Sequence, residues 1–326
     1  MIAADPTLIG PSINWFALSP MLVLLGAAMV LLVFGALTPQ WPRHVYALFT
    51  AAAGLGAMIL CFFLWDDITD DGPRTLVGNA LRFDVFSMII TISITGALVL
   101  VAFVTDDYLR REELEGPEVY ALYLLAAIGG IVMGSANDLI VLFLGLEIMS
   151  IAFYVMAASH RKRIESQEAG IKYFILGGFS SAFFLYGIAM VYGSAGSTNF
   201  SNIVASFNAN VPAVRHDAFV LAGVALLIVG LGFKTASVPF HFWTPDVYEG
   251  APTPVTAFMA AATKTAALVL MLRVLVTAFP QEARLWTITV AAIACASLAI
   301  GNLAALVQRG LKRMLAYSSI SHAGFM

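Results

Sequence analysis

The chain has 326 residues, of which 60% are hydrophobic and only 11% charged, and its mean hydropathy is +0.88. A water-soluble domain carries about 25% charged residues to cover its surface, so this composition excludes one and makes lipid the solvent for most of the chain. A net charge of -3 argues against a nucleic-acid partner, and Cys61 and Cys295, each alone in an apolar run, suit neither a disulfide framework nor an iron–sulfur cluster.

The first residues carry no basic segment and no small-residue cleavage site, so no cleaved signal peptide is expected. A spanning helix needs about 20 mostly apolar residues. Nine complete spans are predicted, at roughly 14–37, 44–65, 83–104, 119–136, 138–158, 171–194, 218–240, 255–279 and 285–307, and a tenth begins near Met314. The longer connections are 66–82, 105–118 and 195–217, the last a loop with one short amphipathic turn. With the N-terminus outside, ten basic residues fall on the inner side: Arg43, Arg110, Arg111, Arg161, Lys162, Arg163, Lys172, Arg309, Lys312 and Arg313. Only Arg74, Arg82, Arg215 and Arg284 fall outside. That bias predicts an outward N-terminus and leaves Lys234, Lys264 and Arg273 within the membrane.

A charge at the bilayer centre costs about 2.5–3.5 kcal/mol on insertion scales, and such residues usually face a protein interior or a water path. In the fifth span Glu147 lies nine residues after Asp138, about 13 Å into the helix. Ser150 and Tyr154 follow at i+3 and i+7 and complete one polar stripe. In the seventh span Pro239 follows Lys234 and clashes with the carbonyl four residues back, that of Thr235. A helix break just after the lysine is therefore expected, with free carbonyls able to bind a cation or water. The alternative is a packing kink with Lys234 snorkelling to the inner interface.

The turn that follows holds His241, Asp246 and Glu249, which read equally as solvated turn residues or as part of a site. In the eighth span Lys264 lies nine residues after Val255 among Ala and Thr, too deep to snorkel easily. Arg273, nearer the outer end of that helix, can snorkel. In the tenth span His322 shares a polar face with Ser318 and Ser321, and a packed core histidine fits as well as a proton relay. Gly230-Leu231-Gly232 lacks the third glycine of a dinucleotide fingerprint, and Asn199-Phe200-Ser201 is only a short sequon match. Burial lowers the pKa of an amine and raises that of a carboxyl, so the buried groups suit proton transfer. A carboxylate approaching and leaving Lys234 would then act as a switch.

Three segments carry a resemblance: GFKTASVPFHFWTPDVYEGAPTPVTAFMAAATKTAA (232–267), GLEIMSIAFYVMAA (145–158) and KRMLAYSSISHAGF (312–325). They resemble the antiporter-like, proton-translocating membrane subunits of respiratory complex I (NADH-quinone oxidoreductase), the N type more than the L and M types. The resemblance implies an all-α, polytopic transmembrane bundle with the antiporter-like inverted-repeat fold and a broken seventh helix. It implies Glu147 paired with Lys234, and Lys264 at the centre of a hydrophilic axis; His241 and His322 are further candidates.

It divides the chain into 1–118 (helices one to three), 119–279 (the first five-helix repeat, helices four to eight) and 280–326 (the start of the second repeat). The second repeat's broken, lysine-bearing helix is expected beyond Met326, and the chain reads as a fragment. The implied activity is that of a proton-pumping NADH:quinone oxidoreductase in a bacterial inner membrane. No redox centre and no metal is expected in this chain; flavin, iron–sulfur clusters and the quinone and NADH sites belong to other membrane-arm and partner subunits. A subunit of a multi-subunit cation/proton antiporter or of an energy-conserving hydrogenase is the alternative, since these share fold and lysines. A purely structural anchor conflicts with three charges at depth, and no arrangement singles out a quinone pocket.

Overall fold

The computed structural model describes residues 13–37, 42–114, 116–208 and 218–326. Arg215, used in the orientation argument, lies outside the described residues, as does the side chain of Arg43. Among the described residues nine helices are long and apolar enough to cross a membrane. They are α1 (Trp15–Leu37), α2 (Arg43–Asp71), α3 (Val85–Arg111), α4 (Glu118–Ser135), α5 (Leu139–Ala157), α6 (Ile164–Ala195), α8 (Ala218–Thr235), one rod over Thr253–Ala278, and α12 (Ala283–Leu306). The rod consists of α10 (Thr253–Phe258), a π turn (Met259–Thr263) and α11 (Lys264–Ala278). Short α7 (Phe200–Asn208) and α9 (Trp243–Gly250) lie between spans, and α13 (Leu311–Phe325) follows α12. The chain is a multi-pass, all-α membrane protein whose seventh spanning helix, α8, is broken.

Three boundaries differ from the sequence reading. The 66–82 connection is not a plain loop: α2 continues to Asp71, and an antiparallel hairpin, β1 (Arg74–Leu76) and β2 (Leu81–Phe83), closes on it with Arg74 opposite Phe83. Its turn holds Val77 and Asn79 at positive φ with Gly78 between them. In the 105–118 connection α3 runs on to Arg111, and α6 begins at Ile164, placing Lys172 within a helix. Apolar length marks the membrane-crossing part of a helix, and polar turns such as Glu165-Ser166 extend it by ordinary backbone bonding. The short turn expected in 195–217 is α7, whose Phe200, Ile203 and Phe207 are buried.

Close approach of helices depends on glycine, as lipid-embedded packing requires. A Cβ on Gly129 would lie 2.5 Å from Met149 N, and one on Gly145 2.8 Å from Met133 N, so α4 and α5 meet backbone to backbone. Gly187 and Gly223 do the same for α6 and α8. Large apolar side chains cover the outer faces: Phe63 is 64% exposed, Leu100 70% and Phe179 65%. Such a surface is stable only against lipid or further protein.

At the hairpin end, loops far apart in sequence are tied together. Asn137 Nδ2 donates to Asn79 O at 3.0 Å, and Asn199 Nδ2 donates to Asn79 O and Asn137 O. Asp138 caps α5 by accepting from Ile140 N at 2.8 Å and also accepts from Thr198 Oγ1 at 2.7 Å. The Asn199 amide of the sequon is thus engaged in the fold.

Candidate functional site

The site is built around the end of α8. Pro239 has no N–H to donate, and α8 stops at Thr235; Ala236 then adopts φ 59°. Several backbone groups at the break are bonded within the protein: Trp243 Nε1 donates to Phe233 O at 3.0 Å, Ser237 N to Gly232 O at 2.9 Å, and Val238 N to Ser297 Oγ of α12 at 2.9 Å. The break is where the sequence places it. The carbonyls of Gly232 and Phe233, just before it, are occupied.

Lys234 is 1% exposed, which removes the snorkelling alternative. Its Nζ donates to Ser150 Oγ at 2.5 Å and lies 5.7 Å from the ring centroids of both Tyr154 and Tyr173. Such contacts stabilise a desolvated cation. Tyr173 stacks on Trp243 at 4.5 Å, and Trp243 meets Tyr248 edge-on at 6.0 Å, so the aromatic wall continues into α9. Glu147, Ser150 and Tyr154 form the predicted stripe on α5. Glu147 is half-buried and accepts a hydrogen bond from Ser181 Oγ of α6. Among the described residues no ion pair joins Glu147 to Lys234.

Lys264 is 7% exposed and follows the π turn directly. Its Nζ donates to Ser319 O of α13 at 2.5 Å. A π turn inserts one residue into the helical ladder, re-aims the side chains after it, and often marks a functional site. No feature of the sequence announces it.

Arg273 does not snorkel. It is 5% exposed and its Nη2 reaches both Asp84 oxygens, at 2.6 and 2.7 Å, with Phe86 stacked on the guanidinium at 4.8 Å. Asp84 lies 189 residues away, where a sequence pattern gives no signal.

Among the described residues neither His241 nor His322 bonds to Lys234 or Lys264. His241 is buried at the break, its ring 4.7 Å from Phe242. His322, near the end of α13, lies 6.2 Å from Phe325. Asp246 and Glu249 are not free turn residues but sit on α9: Lys172 donates to Asp246 at 2.8 Å, and Arg313 pairs with Asp246 at 2.9 Å and Glu249 at 3.2 Å. This cluster joins α6, α9 and α13. Sequence reasoning missed Ser181, Tyr173, Ser319 and Asp84; Ser181 sits in an ordinary apolar run. Among the described residues no group of three or more His, Cys, Asp or Glu is placed to hold a metal ion.

Residues 136–326 match the family model described as "NADH:quinone oxidoreductase/Mrp antiporter, TM". NADH-quinone oxidoreductase subunit N 2 of Koribacter versatilis is 41% identical over 323 residues, covering 97% of this chain and 64% of that protein. A chain of respiratory complex I from Thermus thermophilus matches with a TM-score of 0.75 and 33% identity, covering 94% of this chain and 62% of that one. A chain of the membrane-bound sulfane sulfur reductase, an archaeal respiratory membrane complex, matches with a TM-score of 0.83 and 26% identity, covering 95% and 63%. The chain therefore spans just under two thirds of the length of these relatives. With sequence, fold and the broken lysine-bearing helix in agreement, the chain belongs to the NADH:quinone oxidoreductase/Mrp antiporter transmembrane family.

Proposed function

We propose that this chain works as a proton-translocating membrane-arm subunit of a bacterial NADH:quinone oxidoreductase, with Glu147, Lys234 and Lys264 carrying the proton. The observation behind it is Lys234: a fully buried amine at a helix break, held by a hydroxyl and two aromatic faces, with no carboxylate in contact among the described residues. An ammonium in that setting gives up its proton readily when its surroundings shift, and Glu147 on the neighbouring stripe is the group whose distance can change. Lys264 on the next rod is the second station. Residues 119–279 form the first five-helix repeat in this reading, after helices one to three in 1–118, and 280–326 open the second. The N-terminus faces the periplasm. NADH oxidation, flavin, iron–sulfur clusters and quinone reduction belong to partner subunits, whose rearrangement supplies the drive. Moving one charge against 100 mV costs about 2.3 kcal/mol, which sets the least that drive must deliver per proton.

The second reading, a subunit of a multi-subunit cation/proton antiporter or of an energy-conserving hydrogenase, draws on the family model, whose description names the Mrp antiporter beside the oxidoreductase. Vesicles containing the assembled complex separate the two. NADH with a quinone should drive proton uptake in sodium-free buffer. Proton movement that needs sodium and ignores NADH would contradict the proposal.

A further inference from the structure

Glu147 and Lys234 are not in contact, so a proton passing between them needs a group in the gap. Tyr154 occupies it. It follows Ser150 by one helical turn on α5, and its buried hydroxyl lies against Gly177 of α6, one helical turn before Ser181. That hydroxyl nevertheless makes no hydrogen bond of normal geometry in this structure. A buried tyrosine hydroxyl ordinarily has a partner. One left free between two hydroxyls is poised to bond to either by a small rotation. Those two serve the ends of the gap: Ser150 accepts from Lys234, and Ser181 donates to Glu147. The space is provided by Gly177 on α6, where a Cβ would fall on the Tyr154 hydroxyl itself. The ring is fixed edge-on against Tyr173 at 4.8 Å and Phe174 at 5.7 Å.

We propose that Tyr154 is the relay group between Lys234 and Glu147, passing the proton through Ser150 on one side and Ser181 on the other. Lys234 gives an N–H proton to Ser150 Oγ, which turns its own hydroxyl proton away from the Leu146 carbonyl, its acceptor in this structure, and gives it to Tyr154. Tyr154 gives its proton to Ser181, and Ser181 gives its proton to the Glu147 carboxylate. One O–H bond forms for each bond broken: Lys234 ends neutral, Glu147 ends protonated, and each hydroxyl keeps one proton. The same row runs backwards to reset the pair. The ring has a separate part, since its face stabilises the charged lysine, and substitution can divide ring from hydroxyl. The relay rests on the proton-translocating reading above.

The test uses the assembled complex containing the full-length subunit in vesicles, with NADH-driven proton uptake measured in H2O and D2O. Tyr154→Phe keeps the ring and removes the relay hydroxyl, and proton uptake should fall on the order of tenfold or more with a larger solvent isotope effect. Gly177→Ala pushes the hydroxyl aside while leaving Tyr154, Glu147 and Lys234 in place, and should give the same loss. Lys234→Met is the control. Parent rates and an unchanged isotope effect in Tyr154→Phe and Gly177→Ala, beside a failed Lys234→Met, overturn the relay and spare the wider reading. A fully active Lys234→Met removes that reading and the relay with it. If Tyr154→Phe does not assemble, Gly177→Ala and Ser181→Ala decide by the same rates.

Discussion

Asp84 and Lys264 illustrate two different treatments of a buried charge. Asp84 accepts from Ser87 N at 2.8 Å to cap α3, and also pairs with Arg273 and, at 3.2 Å, with Arg82. Removing one partner of a buried pair leaves the other uncompensated, at a cost of about 3–5 kcal/mol, and loss of a cap adds about 1 kcal/mol. Asp84→Ala should therefore lower the thermal midpoint of the purified protein sharply. Arg82→Ala, on a side chain 41% exposed, should cost less than about 1 kcal/mol. Equal shifts for the two would show that the buried pair is not what holds α11 to α3. Lys264 has a carbonyl for a partner and, among the described residues, no carboxylate. A charge so placed costs the fold energy, so Lys264→Met should keep or raise the thermal midpoint while proton transport is lost. A stabilised and fully transporting variant would mean that the residue carries no proton.

Helices α4 and α5 hold the Glu147 stripe in place through a glycine contact. Gly145→Val would drive a side chain into Met133 N and Gly129 O, 2.8 and 2.9 Å from even the first added carbon, and overpacking typically costs about 1–3 kcal/mol. Gly26→Ala on α1 meets nothing within 4 Å and should leave the yield of folded protein unchanged in the same preparation. The spans themselves were legible because apolar length is a local property. So was the break after Lys234, since a proline at 239 acts on its own helix. The hydroxyls of Ser181, the carbonyl of Ser319 and the Asp84 carboxylate were not legible, because each comes from a separate helix and no sequence pattern encodes which faces meet. The π turn before Lys264 was invisible for a different reason: its Met-Ala-Ala-Ala-Thr sequence suits an α-helix as well.

Over the whole molecule, basic side chains gather at the end opposite the hairpin, with Arg110 and Arg111 closing α3 and Arg161, Lys162 and Arg163 joining α5 to α6. Positive residues favour the cytoplasmic side, so a cysteine at Lys162 in intact cells should resist a membrane-impermeant thiol reagent, whereas one at Arg82 should react. The opposite pattern would invert the orientation. At the same scale the buried lysines sit on consecutive spans, α8 and the Thr253–Ala278 rod, each tied to a different neighbour, Ser150 of α5 or Ser319 of α13. The central claim is that these amines carry the transported proton. It is tested most directly by counting protons moved per NADH oxidised in vesicles holding the assembled Lys234→Met complex. The count should fall while the subunit remains incorporated. A count equal to that of the unsubstituted complex would contradict the account.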